Sequence, residues 1–273
     1  MYRLLIAAMV LALSPASHAG TLTDDLKTIA QERIYFGHQS VGKNVLDGLQ
    51  ELSAAAGVPL KIAEVPHAAD LKGAAVGHLF VPENGDPLRK LANFRLALGT
   101  GSRADIALVK FCYVDITADT DMRGLFDEYR STIDELKRKN PRTTFVHVTL
   151  PLTTVQSGPK AWVKRLLGRA PYGTIENVKR EQYNALLRRT YAGIEPIFDL
   201  ARVESIAADG TQATVEWDGV VAPALVPAYT DDGGHLNHIG RLRAAKEFIT
   251  VLAAARMPLQ KFEDSATPVR LER

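Results

Sequence analysis

The run Arg33-Ile34-Tyr35-Phe36-Gly37-His38-Gln39-Ser40-Val41-Gly42 changes its period in mid-course. Arg33 to Phe36 is a short β-rich run closed by Gly37. From Val41 onward, Val45, Leu46, Leu49 and Leu52 recur at helical spacing, which predicts an amphipathic helix over 41–55. A strand that turns through glycine into a helix is the first half of a βαβ unit.

The alternation continues outward from this unit. Leu60 to Ala63 reads as a second strand, and Asp86-Pro87-Leu88 opens a helix with an acidic cap and proline in its first turn, running to Leu98. Ile106 to Phe111 is an apolar strand interrupted by Lys110, the pattern of a strand buried on both faces. Met122 to Lys139 is a charged amphipathic helix ended by Asn140-Pro141, and Thr144 to Leu150 a strand stopped by Pro151. Ile175 to Tyr191 is helical, Glu195 to Leu200 a strand, and His238 to Ala255 a helix with Ile239, Leu242, Ala245, Ile249 and Leu252 on one face. Such a chain predicts a parallel sheet with helices on both sides, as one domain over residues 20–259. Two segments stand outside the pattern. Between Thr153 and Tyr172, Trp162, Leu166 and Leu167 lie beside Lys160, Lys164, Arg165 and Arg169. That short basic helix reads as a solvated surface element, or as a lid or contact for an acidic polymer, because α/β folds place ligand loops after strand ends. In Val215-Glu216-Trp217-Asp218-Gly219-Val220-Val221, Asp218-Gly219 between apolar runs predicts a hairpin.

Composition narrows the function classes. Of 273 residues, 46% are hydrophobic and 23% charged, with 33 Lys plus Arg against 31 Asp plus Glu, so the chain is not disordered. A formal charge of +2 without a long basic run gives no reason to expect nucleic acid as the main partner. Cys112 is the only cysteine, so no intrachain disulfide and no cysteine-rich zinc site is available. Arg3, the apolar run Leu4 to Leu13, the breaker Ser14-Pro15 and Ser17-His18-Ala19 form the pattern of a secretory signal peptide over residues 1–19. The expectation is a periplasmic or secreted protein with no stable membrane insertion once that segment is removed. Residues 260–273 read as a polar tail.

Chemistry concentrates at two places. Ser40 sits where a strand gives way to a helix, over backbone N–H groups and a positive dipole end that stabilise a developing oxyanion. Serine is equally suited to be the N-cap of that helix. In Asp231-Asp232-Gly233-Gly234-His235-Leu236-Asn237-His238-Ile239-Gly240, Asp232 stands three residues before His235 across two glycines. The carboxylate can turn back, accept the imidazole N–H and leave the other nitrogen as a base, while Asn237 caps the next helix. Asp231, Asp232, His235 and His238 also have the donor types of a metal site, but three matched ligands are not evident in the spacing.

Asp232-Gly-Gly-His235-Leu-Asn237-His-Ile-Gly240 resembles the last block of the SGNH, or GDSL-like, hydrolases, and Tyr183-Asn184-Ala185-Leu186-Leu187-Arg188 is similar to the helix that precedes it. Gly37-His38-Gln39-Ser40 stands where that family has Gly-Asp-Ser, with one extra residue and no aspartate. The resemblance implies a three-layer α/β/α sandwich around a mostly parallel five-stranded sheet of flavodoxin-like type, and a Ser40, His235, Asp232 triad without cofactor or metal. It also implies a small-molecule or polysaccharide ester as substrate. In the third block, Lys110-Phe111-Cys112-Tyr113-Val114-Asp115, the final Asp115 is kept while Val114 replaces the asparagine that donates to the oxyanion. Gly77, the candidate second-block glycine, and Asp115 are candidate substrate-binding residues, and Gln39, His38 and Tyr113 are the candidate replacement donors. The resulting expectation is an extracytoplasmic serine esterase removing small acyl groups from a carbohydrate. An exopolysaccharide O-acetyltransferase and a non-catalytic polysaccharide-binding protein are the alternatives.

Overall fold

A computed structural model describes residues 21–256. The signal-peptide reading of residues 1–19 and the tail reading of 260–273 fall outside them. The elements in chain order are α1 (Leu22–Ile29), β1 (Arg33–His38), α2 (Ser40–Ala55), β2 (Ile62–Glu64), β3 (Ala75–Phe80), α3 (Pro87–Leu98), β4 (Ile106–Val109) and α4 (Met122–Lys139). They are followed by β5 (Thr144–Phe145), β6 (His147–Val148), α5 (Pro159–Leu166), α6 (Thr174–Tyr191), β7 (Ile197–Phe198), α7 (Leu200–Ser205), β8 (Thr214–Trp217), β9 (Val220–Pro223) and α8 (His238–Ala254).

Five strands form a parallel sheet in the order β2-β3-β1-β4-β5. The single strand expected over Thr144 to Leu150 is split at Val146. β5 pairs with β4, the Val146 N–H still reaches the Ala107 carbonyl at 3.0 Å, and β6 then pairs in parallel with β7. Taking β5 and β6 as one strand, the series β3-β1-β4-β5/β6-β7 has the doubly wound order 2-1-3-4-5, whose switch point lies at the C-terminal ends of β1 and β4.

Strand alternation builds the layers, since successive side chains point to opposite faces. Ile34, Phe36, Ile106, Leu108, Val146 and Val148 join Leu26, Val45, Leu49, Phe248 and Leu252, so α1, α2 and α8 cover one face. Tyr35, Ala107, Val109 and Phe145 join Leu91, Phe94, Phe126, Tyr129, Ile133 and Leu187, so α3, α4 and α6 cover the other. This is the α/β/α sandwich expected from the sequence.

Several local signals read as expected. Asp86 caps α3 by accepting from the Arg89 N–H at 2.9 Å, with Pro87 in the first turn. Asn237 caps α8 by accepting from the Gly240 N–H at 3.1 Å. Asp218 and Gly219 both take positive φ, 51° and 74°, as a two-residue hairpin turn between β8 and β9 requires. Among the described residues no helix is long and apolar enough to cross a membrane.

Candidate active site

Ser40 is not the cap of its helix. Gln39 occupies the N-cap position and makes no side-chain capping bond, so Ser40 is the first helical residue, half-buried, with a hydroxyl free of a capping duty. The approach to Ser40 is held by buried groups. His38 Nδ1 lies 3.0 Å from the Gln39 carbonyl, an acceptor, so Nδ1 carries the hydrogen, and Nε2 accepts from His78 Nδ1 at 3.1 Å. Burial, with the His78, Lys110 and Lys43 charges, lowers His38 to about 3 although the Gln39 carbonyl opposes it, so the ring stays neutral. Gly42 is required here, because a Cβ at that position would overlap the His38 ring. Gln39 turns its amide the other way and donates to the Val81 carbonyl at 2.6 Å, tying the end of β1 to the end of β3.

The loop before α8 carries the candidate base, His235. Asp232 Oδ1 accepts from the backbone N–H groups of Gly234 at 2.9 Å and His235 at 2.8 Å, and Oδ2 lies 2.5 Å from His235 Nδ1. Burial acts to raise the Asp232 carboxyl, but the His235 ring and these two amides outweigh it and hold the group well below the usual carboxylate range. Asp232 is therefore ionised throughout the neutral range, Nδ1 donates to it, and Nε2 is the basic nitrogen.

Three contacts bring this loop to the sheet's switch point. Asn44 Oδ1, one helical turn or about 6 Å along the axis from Ser40, accepts from the Leu236 N–H at 3.1 Å. The Thr154 N–H, after β6, donates to the Gly233 carbonyl at 2.9 Å. The Tyr113 ring, after β4, meets His235 edge to face with centroids 5.6 Å apart and its hydroxyl 3.4 Å from each ring nitrogen. Gly234 permits that approach: a Cβ there would lie 2.6 Å from the tyrosine Cζ. Burial, with the Asp232 charge, pushes the Tyr113 hydroxyl up to about 12, so it is a neutral donor. Among the described residues no hydrogen bond joins the Ser40 hydroxyl to His235; such bonds are often long before a substrate closes the site.

The structure thus gathers Asp232, His235 and Tyr113, with their loop fastened to Asn44 one turn beyond Ser40, and engages four other sequence candidates elsewhere. Gln39 spends its amide on the Val81 carbonyl and is not an oxyanion donor here. Asp115 is fully buried. Its oxygens take Lys90 Nζ at 2.7 and 2.8 Å, the Gly85 N–H at 2.8 Å and the Cys112 N–H at 2.6 Å, so it is a loop anchor and not a substrate contact. Gly77 lies inside β3, packed against Leu71 and Val65 and paired with Tyr35 of β1, and is not at a strand end. His38 spends both ring nitrogens inside the fold, so it is no oxyanion donor. The residues of the metal reading are also dispersed, because His238 pairs with Glu51 at 2.7 Å while His235 pairs with Asp232.

Residues missed in the sequence support the site from below. Buried Arg180 donates to the Tyr113 carbonyl and the Thr153 hydroxyl, both at 3.0 Å, and to Asn177 Oδ1 at 2.6 Å, joining the loops after β4 and β6. Asn177 and Asn184 each accept a backbone N–H and donate to the carbonyl of the same residue, Thr153 and Leu150 respectively. Their signal was polar residues at i, i+3 and i+7 (177, 180 and 184) on the stripe that also carries Tyr183 and Leu187. A pocket of about 470 Å³ opens alongside, walled by Tyr113, Asp232, Thr154, Gln156, Lys164 and Tyr172.

Glu204 of α7 reaches the same loop. One oxygen accepts from the Leu152 N–H at 2.6 Å and the other has no partner among the described residues. Burial pushes its carboxyl up to about 8, more than the Leu152 N–H and the Lys110 and Arg180 charges lower it. An unfolded glutamate ionises near 4.5 and the folded one keeps its proton to about 8, so stability from this group is present at acid pH and lost as pH rises through that window. Glu204→Gln is expected to remove the loss. Its melting temperature should gain on the wild type between pH 5 and pH 8 by the equivalent of up to about 1.4 kcal/mol per pH unit, read by thermal melts at both pH values.

No protein-family model and no curated protein matches the sequence. Solved structures resemble it in fold. A GDSL-like lipase from Bacteroides thetaiotaomicron is 11% identical with a TM-score of 0.48, covering 82% of this chain and 87% of its own. A carbohydrate esterase family 3 protein from Talaromyces cellulolyticus is 14% identical with a TM-score of 0.49, covering 81% and 96%. An acetyl esterase variant with acetate is 14% identical with a TM-score of 0.47, covering 81% and 96%. The chain is similar in fold to GDSL-like lipases and esterases.

Proposed function

We propose that the chain is an extracytoplasmic serine ester hydrolase that removes small acyl groups from a carbohydrate or polysaccharide. The observation that carries this reading is the Asp232–His235 pair, at 2.5 Å, on a loop fastened to Asn44 one turn beyond Ser40. Ser40 Oγ attacks the ester carbonyl carbon while His235 Nε2 takes its proton, and Asp232 holds the ring and stabilises the imidazolium. The oxyanion is stabilised by the uncapped N–H groups at the start of α2 and by the Tyr113 hydroxyl, which take the place of the absent asparagine. His235 returns the proton to the departing alcohol, and water repeats the sequence on the acyl-enzyme.

The signal-peptide pattern of residues 1–19 supports the extracytoplasmic placement. The polar walls of the adjoining pocket suit a hydroxylated alcohol moiety better than an acyl chain. The test is an acetylated oligosaccharide incubated with the protein, with acetate and products quantified. Hydrolysis releases acetate in a one-to-one ratio with the hydroxyl freed. Acetyl groups recovered on a second oligosaccharide would identify an acyltransferase instead, and an inert but correctly folded protein would contradict both.

A further inference from the structure

The least expected surface of the molecule is α5. Trp162, Val163, Leu166 and Leu167 are 64%, 46%, 71% and 65% exposed, whereas Ala161 is 1% exposed. Leu167 continues the spiral, its N–H reaching the Val163 carbonyl at 3.1 Å. At 100° per residue these four side chains fall within an arc of about 140°, roughly opposite Ala161. An exposed apolar stripe on a helix needs a partner. Charge says which one. Residues 153–175 contain Lys160, Lys164, Arg165 and Arg169 and no Asp or Glu. Lys160 and Lys164 border the apolar arc. A helix with Trp and Leu on its outer face and basic residues along the edge has the build of elements that lie in a membrane interface.

We propose that α5 docks this protein on an anionic lipid surface, peripherally and without spanning it. A second copy of the chain fits poorly, because it would bring two sets of cations together without a carboxylate on either helix. An acidic polysaccharide would satisfy the cations but leave Leu166 and Leu167 in water. The docked helix is fastened to the pocket wall, since Lys164 Nζ donates to Gln156 Oε1 at 2.8 Å and both residues border the cavity beside Asp232. Adsorption would therefore hold the pocket at the membrane boundary. The proposal is independent of the esterase reading, because its readout is binding.

The test uses vesicles of equal parts phosphatidylglycerol and phosphatidylcholine, with pure phosphatidylcholine as the comparison. The chain has two tryptophans, so Trp217→Phe leaves Trp162 as the reporter. Expected results are a blue-shifted Trp162 emission on the anionic vesicles and at least a ten-fold weaker partition onto the neutral ones. The double variant Leu166→Asp, Leu167→Asp should lose at least ten-fold in partition while its melting temperature stays unchanged. Failure to bind anionic vesicles would overturn the proposal. So would partition that the double variant leaves intact, or a wild-type dimer that the double variant dissociates.

Discussion

Ser40→Ala is expected to lower kcat/KM for a small acetyl ester by about 10⁴- to 10⁶-fold, equivalent to about 5–8 kcal/mol of barrier, while leaving the fold intact. The size follows from losing the hydroxyl that the proposed mechanism uses to form the acyl-enzyme. The intact fold follows from the position of Ser40. It is the first helical residue and not the N-cap, and Gln39 holds the chain through Val81 whether or not a hydroxyl follows. Substitution at a half-buried site without such features changes stability by about 0.5 kcal/mol or less. Steady-state hydrolysis and a thermal melt on the same preparation check both parts. A serine serving as a cap would give the reverse result, a loss of about 1 kcal/mol in stability with activity retained.

Asp232→Asn is expected to cost about 10⁴-fold in kcat. The geometry fixes the direction. Oδ1 accepts two backbone N–H groups, from Gly234 and His235, so an asparagine must keep its carbonyl oxygen there and turn its NH₂ toward His235 Nδ1. Nδ1 then becomes an acceptor and Nε2 carries the hydrogen, the wrong tautomer for removing a proton from Ser40. Asp231→Asn is the matched control, since among the described residues Asp231 accepts only from Asn237, at 3.3 Å, and should retain near wild-type kcat. The pair is read by kcat at neutral pH, where a similar fall in both variants would contradict the assigned orientation.

What the sequence disclosed and what it hid divide along physical lines. Local periodicity and capping chemistry are written in neighbouring residues. The β1–α2 unit, the α3 cap at Asp86, the Asp218-Gly219 turn and the Asn237 cap were therefore legible. The Asp232–His235 pair is also local, three residues apart, and two glycines announced its turn. Partners that meet only after folding left no pattern. His38 and His78 are 40 residues apart, and Asn44 and Leu236 are 192 apart. Asp115 is the instructive failure. A carboxylate at a strand end looks like a substrate contact until Lys90, 25 residues earlier, is seen to neutralise it inside the core. Gly77 misled for a similar reason: its lack of a side chain serves packing against Leu71 within the sheet, not an opening to the site. The break at Val146 was hidden because an apolar run does not say which neighbour each half will pair with.

In the proposed mechanism Ser40 is a nucleophile activated by His235. Intact-mass analysis after fluorophosphonate treatment of wild type, Ser40→Ala and His235→Ala tests it most directly. A single adduct is expected on the wild type, none on Ser40→Ala, and strongly slowed labelling of His235→Ala. An adduct that survives in Ser40→Ala, or a folded wild type that takes none, would contradict it.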